Sequence, residues 1–222
     1  FVLMLLTSRT LPFSPWRADS TWSIGGGRHH IQRFLILIFG LFIFGIGDSL
    51  LIITGLGNAP WSVLAQGISL NSPLSIGEAT FFISLTVLAL WIPLKQMPGL
   101  GTLANILVIA VAIEIGLAFI PEVDNLALKY FYIFSGIALV GIGSALYITC
   151  GLGTGPRDGL MTGLHYKTGI RVGRVRLGIE LTALIIGALL GGTVGIGTAL
   201  FALLIGQSVA ISLGVVDRLT AK

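Results

Sequence analysis

The chain has 222 residues, of which 55% are hydrophobic and only 10% are charged, and its mean hydropathy is +0.98. A soluble globular domain of this length does not tolerate such a composition, so we expect the lipid bilayer to be its main solvent. The net charge of +4 does not indicate nucleic-acid binding, because the basic residues lie in short segments between apolar runs rather than on one basic face.

Residues 1–30 form an N-terminal extension in which we predict no membrane span. The apolar run at 1–6 is too short to cross a bilayer, and Pro12, Pro15 and the glycines at 25–27 interrupt any helix. We expect this extension to be poorly ordered or to lie at the membrane interface.

Six apolar segments follow, each close to the roughly 20 residues that cross a hydrocarbon core of about 30 Å. They are residues 31–54, 77–94, 100–120, 126–150, 175–193 and 195–215. The predicted fold class is therefore an all-α integral membrane protein with six transmembrane helices.

The chain repeats itself at an offset of 96 residues, without gaps. Nine glycines coincide under this shift, including Gly40 with Gly136 and Gly47 with Gly143. The shift also superposes the Gly-x-Gly-Thr motif at 99–102 on the same motif at 195–198. We therefore divide the chain into repeats at 31–121 and 126–216, followed by a tail at 217–222.

The distribution of Lys and Arg predicts the orientation. The segments before the first span, after the second and fourth spans and after the last one carry the basic residues, so both termini are expected in the cytoplasm. Because each repeat contains an odd number of spans, the second repeat must enter the membrane from the opposite face. This predicts two inverted three-helix repeats, the architecture of many secondary transporters.

Each repeat also contains a short broken segment after its first span. Asn58 and Thr154 are suitable N-cap residues, and Pro60 and Pro156 suit a first helical turn, so a short helix should begin at each proline. The free N–H groups at such helix starts attract anions. Either the two segments are re-entrant and meet on one solute, or they are ordinary interfacial helices with Trp61 at the lipid headgroups.

Charged residues within or beside the spans are the other candidates for function, because ionisable groups are costly in hydrocarbon. Asp48, Glu114 and Glu180 are candidates for ion coupling, and Glu180 is placed to pair with Arg176 one turn earlier. Asp48 and Glu114 either carry a coupling proton or bond to polar neighbours. The neighbours that we consider are Ser49, Asn105 and Gln207.

Substrate binding is predicted around the two short helices. The candidate residues are Asn58, Trp61, Thr154, Arg157 and Asp158. Arg157 is placed to bind an anionic group with two hydrogen bonds, although it also fits a positive anchor on the cytoplasmic side.

Catalysis and cofactors are not expected. His29 and His30 are adjacent and His165 stands alone, so no metal-ligand spacing is present, and no nucleophile motif occurs. We predict a non-enzyme with no cofactor and no metal.

The paired motifs resemble those of the YczE/YitT-like family of bacterial integral membrane proteins. The resemblance rests on residues 55–61 (GLGNAPW), 151–161 (GLGTGPRDGLM) and 173–180 (GRVRLGIE), and it covers about 31–215. Ser62 departs from the family, which often has Asp at that position. The resemblance implies the bacterial cytoplasmic membrane and a permease, but it implies no particular substrate.

Taken together, these features predict a transporter, either a secondary permease or an exporter, for a small anionic or polar solute, with alternating access between the repeats. The alternative is a membrane scaffold or regulator that transports nothing. Such a protein could form a homodimer through Gly187, Gly191 and Gly195, which have small-xxx-small spacing.

Overall fold

A computed structural model describes residues 29–220, and within that range the chain forms eight α-helices and no strands. The helices are α1 (His29–Thr54), α2 (Pro60–Leu70), α3 (Ile76–Ala89), α4 (Leu100–Phe119), α5 (Leu126–Cys150), α6 (Pro156–Thr168), α7 (Val172–Leu189) and α8 (Ile196–Thr220). The N-terminal extension up to residue 28, and residues 221–222 of the tail, lie outside the described residues.

Four of these helices are long and apolar enough to cross a membrane: Ile31–Thr54, Leu100–Phe119, Leu126–Cys150 and Ile196–Leu219. They correspond to predicted spans, and the span at 126–150 is reproduced at both ends. The other two predicted spans are weaker. α3 has 14 residues, about 21 Å of helix, and turns replace the helix after Ala89, whereas α7 carries Arg174, Arg176 and Glu180 within its 18 residues.

The centre of the fold is a close antiparallel contact between α1 and α5. Arg33 at the start of α1 donates a hydrogen bond to the carbonyl of Cys150 at the end of α5, at 3.0 Å. Further along α1, Gly47 faces Gly136 near the beginning of α5. Because the residue number rises along one helix as it falls along the other, the two helices run in opposite directions.

Glycine makes this close approach possible. A Cβ atom added to Gly47 would lie 2.7 Å from the carbonyl oxygen of Gly136, and a Cβ on Gly136 would lie 2.7 Å from that of Gly47. Gly40 and Gly143 oppose each other in the same way. Helices in lipid associate mainly by packing, so small residues at the contact allow the backbones to meet.

Contacts that repeat at the 96-residue offset join each half to the other. The amide of Gly101 donates to the carbonyl of Leu152 at 2.7 Å, and the amide of Gly197 donates to that of Leu56 at 2.9 Å. The threonine of each Gly-x-Gly-Thr motif accepts a hydrogen bond from the amide of the motif's first glycine. The repeated motif therefore forms the same local structure twice, at the start of α4 and at the start of α8.

The loops before the short helices require another pair of equivalent glycines, Gly57 and Gly153. Gly57 and Gly153 have φ angles of 117° and 129°, which only glycine adopts readily. Each loop also lies against the other repeat: a Cβ on Gly153 would meet Thr102 Oγ1 at 2.8 Å, and a Cβ on Gly57 would meet Thr198 Oγ1 at 2.7 Å. The two loops therefore have the same backbone shape and dock against equivalent helix starts.

The short helices begin at Pro60 and Pro156, as predicted, but the predicted caps are wrong. The N-cap residues are Ala59 and Gly155, and neither makes a side-chain cap hydrogen bond. Asn58 instead donates through Nδ2 to Gln66 Oε1 at 2.8 Å, and the carbonyl of Thr154 accepts from Thr102 Oγ1 at 2.7 Å. Asn58 and Thr154 therefore lie one residue before the N-cap positions.

The glycines proposed for a dimer contact are used inside the chain. A Cβ on Gly187 would meet the backbone of Leu64 in α2, and a Cβ on Gly195 would meet the carbonyl of Leu56. Gly191 lies beside Leu70 and has a φ of 91°. α2 and its preceding loop therefore contact this stripe within the chain, while Gly191 and Gly195 are exposed.

Replacing Gly153 with Ala should destabilise the protein by more than the roughly 1–2 kcal/mol that a left-handed conformation costs an ordinary residue, because Thr102 must also move. Gly178→Ala is the matched control, since a Cβ there meets nothing within 4 Å. Thermal unfolding in detergent should show a lower Tm for Gly153→Ala and an unchanged or higher Tm for Gly178→Ala. Equal Tm values would contradict the loop geometry.

Candidate functional site

The starts of the two short helices line one cavity of about 130 Å³. Trp61 belongs to the first turn of α2, and Arg157 and Asp158 belong to the first turn of α6. The long helices α1, α4, α5 and α8 close the cavity around them. Its volume is enough for several water molecules or a small solute.

The two repeats contribute equivalent positions to the lining. Pairs of lining residues separated by 96 positions are Phe44 and Val140, Asp48 and Ser144, Ala59 and Gly155, Pro60 and Pro156, Trp61 and Arg157, Asn105 and Phe201, and Ile109 and Ile205. The shape of the cavity is thus shared between the halves, but its chemistry is not, because a charged residue in one half often replaces a neutral one in the other.

Trp61 and Arg157 are in contact in the wall of the cavity. The guanidinium carbon of Arg157 lies 4.9 Å from the centroid of the Trp61 ring, within the range of a cation–π interaction. Since these two residues are equivalent positions of the repeats, their contact joins the first turns of α2 and α6 directly.

Asp48 is the most deeply buried charged residue of the site, with 1% of its surface exposed. Ser62 donates a hydrogen bond to its Oδ2 at 3.3 Å, and Arg157 is close enough to interact with it electrostatically. Its other oxygen, Oδ1, has no hydrogen-bond partner within the described part of the chain. A buried carboxylate oxygen without a partner is costly, so it is available to a bound group.

The other charges of the cavity are held by partners. Tyr147 donates its hydroxyl to Asp158 Oδ2 at 2.8 Å, and Arg176 Nε bonds Glu180 Oε1 at 2.7 Å. The second contact confirms the ion pair expected from their four-residue spacing. Sequence reasoning missed Tyr147. A comparison of the repeats could have found it, because Tyr147 places a hydroxyl where the equivalent position of the first repeat has the apolar Leu51.

Three predicted site residues lie outside the cavity lining. Glu114 accepts a hydrogen bond from the amide of Gly77 at 2.6 Å, where it satisfies a free amide in the first turn of α3. Asn58 is fully buried against Gln66, and the side chain of Thr154 is exposed. Asp48, Trp61, Arg157, Asp158 and Glu180 are the predicted residues that the fold brings together.

The cavity extends toward α7 but not toward α3, which is the equivalent helix of the first repeat. Arg176, Ile179 and Glu180 of α7 line it, whereas the equivalent residues of α3 are buried. These are Thr80, Ile83 and Ser84. The wall of the cavity therefore includes the first half of α7, where Arg176, Ile179 and Glu180 are half-buried, and excludes the equivalent part of α3.

These features define a helical membrane protein in which two short helices meet at a polar cavity. The chain belongs to the YczE-like membrane proteins. The family model that matches residues 31–213 is described as a family of unknown function (DUF6198).

Relatives of similar length support this assignment. An uncharacterized protein of Haemophilus influenzae is 42% identical over 211 residues, which cover 95% of this chain and 94% of the relative. The uncharacterized membrane protein YczE of Bacillus subtilis is 32% identical over 185 residues, covering 82% of this chain and 86% of the relative. The uncharacterized protein YyaS of the same species is 25% identical over 191 residues, covering 84% and 95%. No solved structure matches the chain.

Water access to the cavity can be tested by comparing two variants that each carry one new cysteine in a Cys150→Ser background. This background is needed because Cys150 is the single cysteine. Ser144 and Ser49 are both buried serines, at 7% and 0% exposure, but only Ser144 lines the cavity. We expect a charged methanethiosulfonate reagent to label Ser144→Cys at least about tenfold faster than Ser49→Cys, because the thiolate must be reached through water. Equal rates would indicate that the cavity is dry.

Proposed function

We propose that this protein is a secondary transporter and that the polar part of its solute binds where α2 and α6 begin. The observation that carries this proposal is the cavity lined by equivalent residues of both repeats, with Asp48 and Arg157 inside it. Transporters of inverted-repeat architecture bind their substrates at the repeat interface, beside broken helices.

The antiparallel contact of α1 and α5 supports an inverted relationship between the halves. These helices are equivalent elements of the two repeats, and the contacts of Gly40 with Gly143 and of Gly47 with Gly136 exchange under the 96-residue shift. A two-fold axis that exchanges two antiparallel helices runs perpendicular to both. For helices that cross a bilayer, this axis lies in the membrane plane, so we propose six spans in two inverted repeats, with α3 and α7 as the two less apolar ones.

The basic residues support a cytoplasmic position for both termini, for the end of α6, which carries Lys167, and for the α6–α7 connection, which contains Arg171. Under this orientation, in the bacterial cytoplasmic membrane, the side of the cavity along α7 faces the cytoplasm. We propose that the second state of the transport cycle closes the cavity along α7 and opens it along α3, so that Arg176 and Glu180 become packed as Thr80 and Ser84 are here.

The residues proposed to act on the solute are Trp61, Arg157 and Asp158, and those proposed for coupling are Asp48 and Glu180. Asp48 and Asp158 each lie near Arg157, so that its positive charge is largely balanced within the protein. A bound group or ion that changes this balance would change the contact between Arg157 and Trp61, which joins the two short helices. We therefore propose that the arginine links occupancy of the site to movement of the halves.

Transport can be tested in proteoliposomes on a solid-supported membrane, with primary amines, amino acids and carboxylates supplied in turn. We expect a solute-dependent current from the wild-type protein and a loss of at least about 90% of it in Arg157→Met, because the cation that contacts Trp61 is removed. Arg171→Met is the matched control, since Arg171 is an exposed residue before α7. It should retain the current.

A protein that moves none of these solutes, or whose current survives in Arg157→Met at full size, would contradict the proposal. The first of these results would favour a membrane scaffold or regulator. Size-exclusion elution and helical circular dichroism establish that each variant has folded.

A further inference from the structure

A second and larger cavity of about 750 Å³ lies between α3 and α7. The short helices contribute Leu64 and Leu160 to its wall, and Phe82 and Ile186 lie on its flanks. Almost every lining residue is apolar, and Arg174, at one end, is the only charged one among the residues that the structure describes. This apolar cleft cannot hold a small polar solute by itself.

The cleft and the polar cavity are adjacent. Trp61 and Ile179 belong to the lining of both, so the Trp61 ring forms a common wall between them. Along α7 the cleft extends from Arg174 to Ile186, about 18 Å of helix. That length is close to one leaflet of a hydrocarbon core of about 30 Å.

One carboxylate oxygen of the polar cavity has no hydrogen-bond partner, although Arg157 is close enough to interact with its carboxylate electrostatically. Its carboxylates are Asp48, Asp158 and Glu180, and its cations are Arg157 and Arg176. Asp158 is bonded to Tyr147 and Glu180 to Arg176, whereas Oδ1 of the buried Asp48 has no partner in the described chain. A donor that carries positive charge would satisfy this oxygen with a charge-assisted hydrogen bond.

From these two observations we infer that the substrate of the proposed transport site is an amphiphile, with a protonated amine at its polar end and a hydrocarbon tail. The amine binds Asp48 in the polar cavity, and the tail lies along Trp61 in the apolar cleft. This inference rests on the proposed transport function and names its substrate class. A bilayer lipid or a second copy could cover the cleft, but neither explains the unpartnered Asp48 oxygen beside it.

The experiment uses the full chain in lipid nanodiscs and a dodecylamine that carries a photoreactive diazirine in its tail. After illumination, mass spectrometry measures the labelling of peptides from α3 and α7. Unlabelled dodecylamine should suppress this labelling at a concentration at least about tenfold lower than dodecanol, which lacks the charge, or butylamine, which lacks most of the tail.

Two variants test the binding of the amine and the binding of the tail separately. Asp48→Asn, which keeps the size of the side chain, should remove the advantage of dodecylamine over dodecanol. Gly178→Leu should reduce labelling at least about tenfold, because Gly178 lines the cleft and a Cβ there meets nothing within 4 Å, so the new side chain fills the cleft without a clash. Gly214→Leu is the control, since Gly214 on α8 has the same free space and does not line the cleft.

Labelling that is equal in Gly178→Leu and Gly214→Leu, or equal suppression by dodecylamine and dodecanol in the wild-type protein, would overturn the amphiphile assignment. Suppression by butylamine as strong as that by dodecylamine would contradict the binding of a hydrocarbon tail in the cleft. None of these results removes the transport proposal, which is judged separately by the current lost in Arg157→Met.

Discussion

The close antiparallel contact between α1 and α5 is the constraint on which the rest of the structure depends. Lipid tails are as apolar as the side chains that they solvate, so burial alone provides little force to hold two helices together inside a bilayer. Here the glycines at 40, 47, 136 and 143 bring the two backbones together. A Cβ at any of these positions lies so close to the opposite helix that an atom there must shift locally to admit it.

This contact fixes the positions of the loops and short helices. Each Gly-Leu-Gly loop leaves the end of α1 or α5 and docks on the helix start of the opposite repeat, so the first turns of α2 and α6 face each other. The cation–π contact between Trp61 and Arg157 is the result. The backbone is therefore nearly symmetric at the cavity, while the charges come mostly from the second repeat, with Asp48 as the first repeat's contribution.

Much of the helix pattern could be predicted from the sequence because it depends on local and periodic features. The apolar run at 126–150 has breakers on both sides, and the prolines at 60 and 156 can only begin a helix, so these boundaries were predicted correctly. The Arg176–Glu180 pair was also predictable, since it depends on spacing within one helix. Six spans are predicted, whereas four of the described helices are long and apolar enough to cross a membrane, because α3 is short and α7 is charged.

The features that depend on tertiary neighbours could not be predicted in the same way. Asn58 and Thr154 have the residue types of N-caps, but they lie one residue before the caps, where the Asn58 side chain bonds Gln66 and the Thr154 carbonyl accepts from Thr102. Asp48 is bonded by Ser62 from α2, which no spacing within α1 reveals. The spacing of Gly187, Gly191 and Gly195 indicated a contact between helices, yet it could not identify α2 and its loop as the partner.

The orientation of the halves can be measured most directly by disulfide formation in the native membrane, in a Cys150→Ser background. Gly40→Cys combined with Leu146→Cys tests the antiparallel contact, because a Cβ on Gly40 lies 2.8 Å from the Leu146 Cβ. Gly40→Cys combined with Gly136→Cys tests the alternative, since these equivalent residues would meet if the halves ran parallel but are about 10 Å apart along antiparallel helices. We predict an oxidised peptide pair in the first variant and none in the second, and the reverse result would contradict the account.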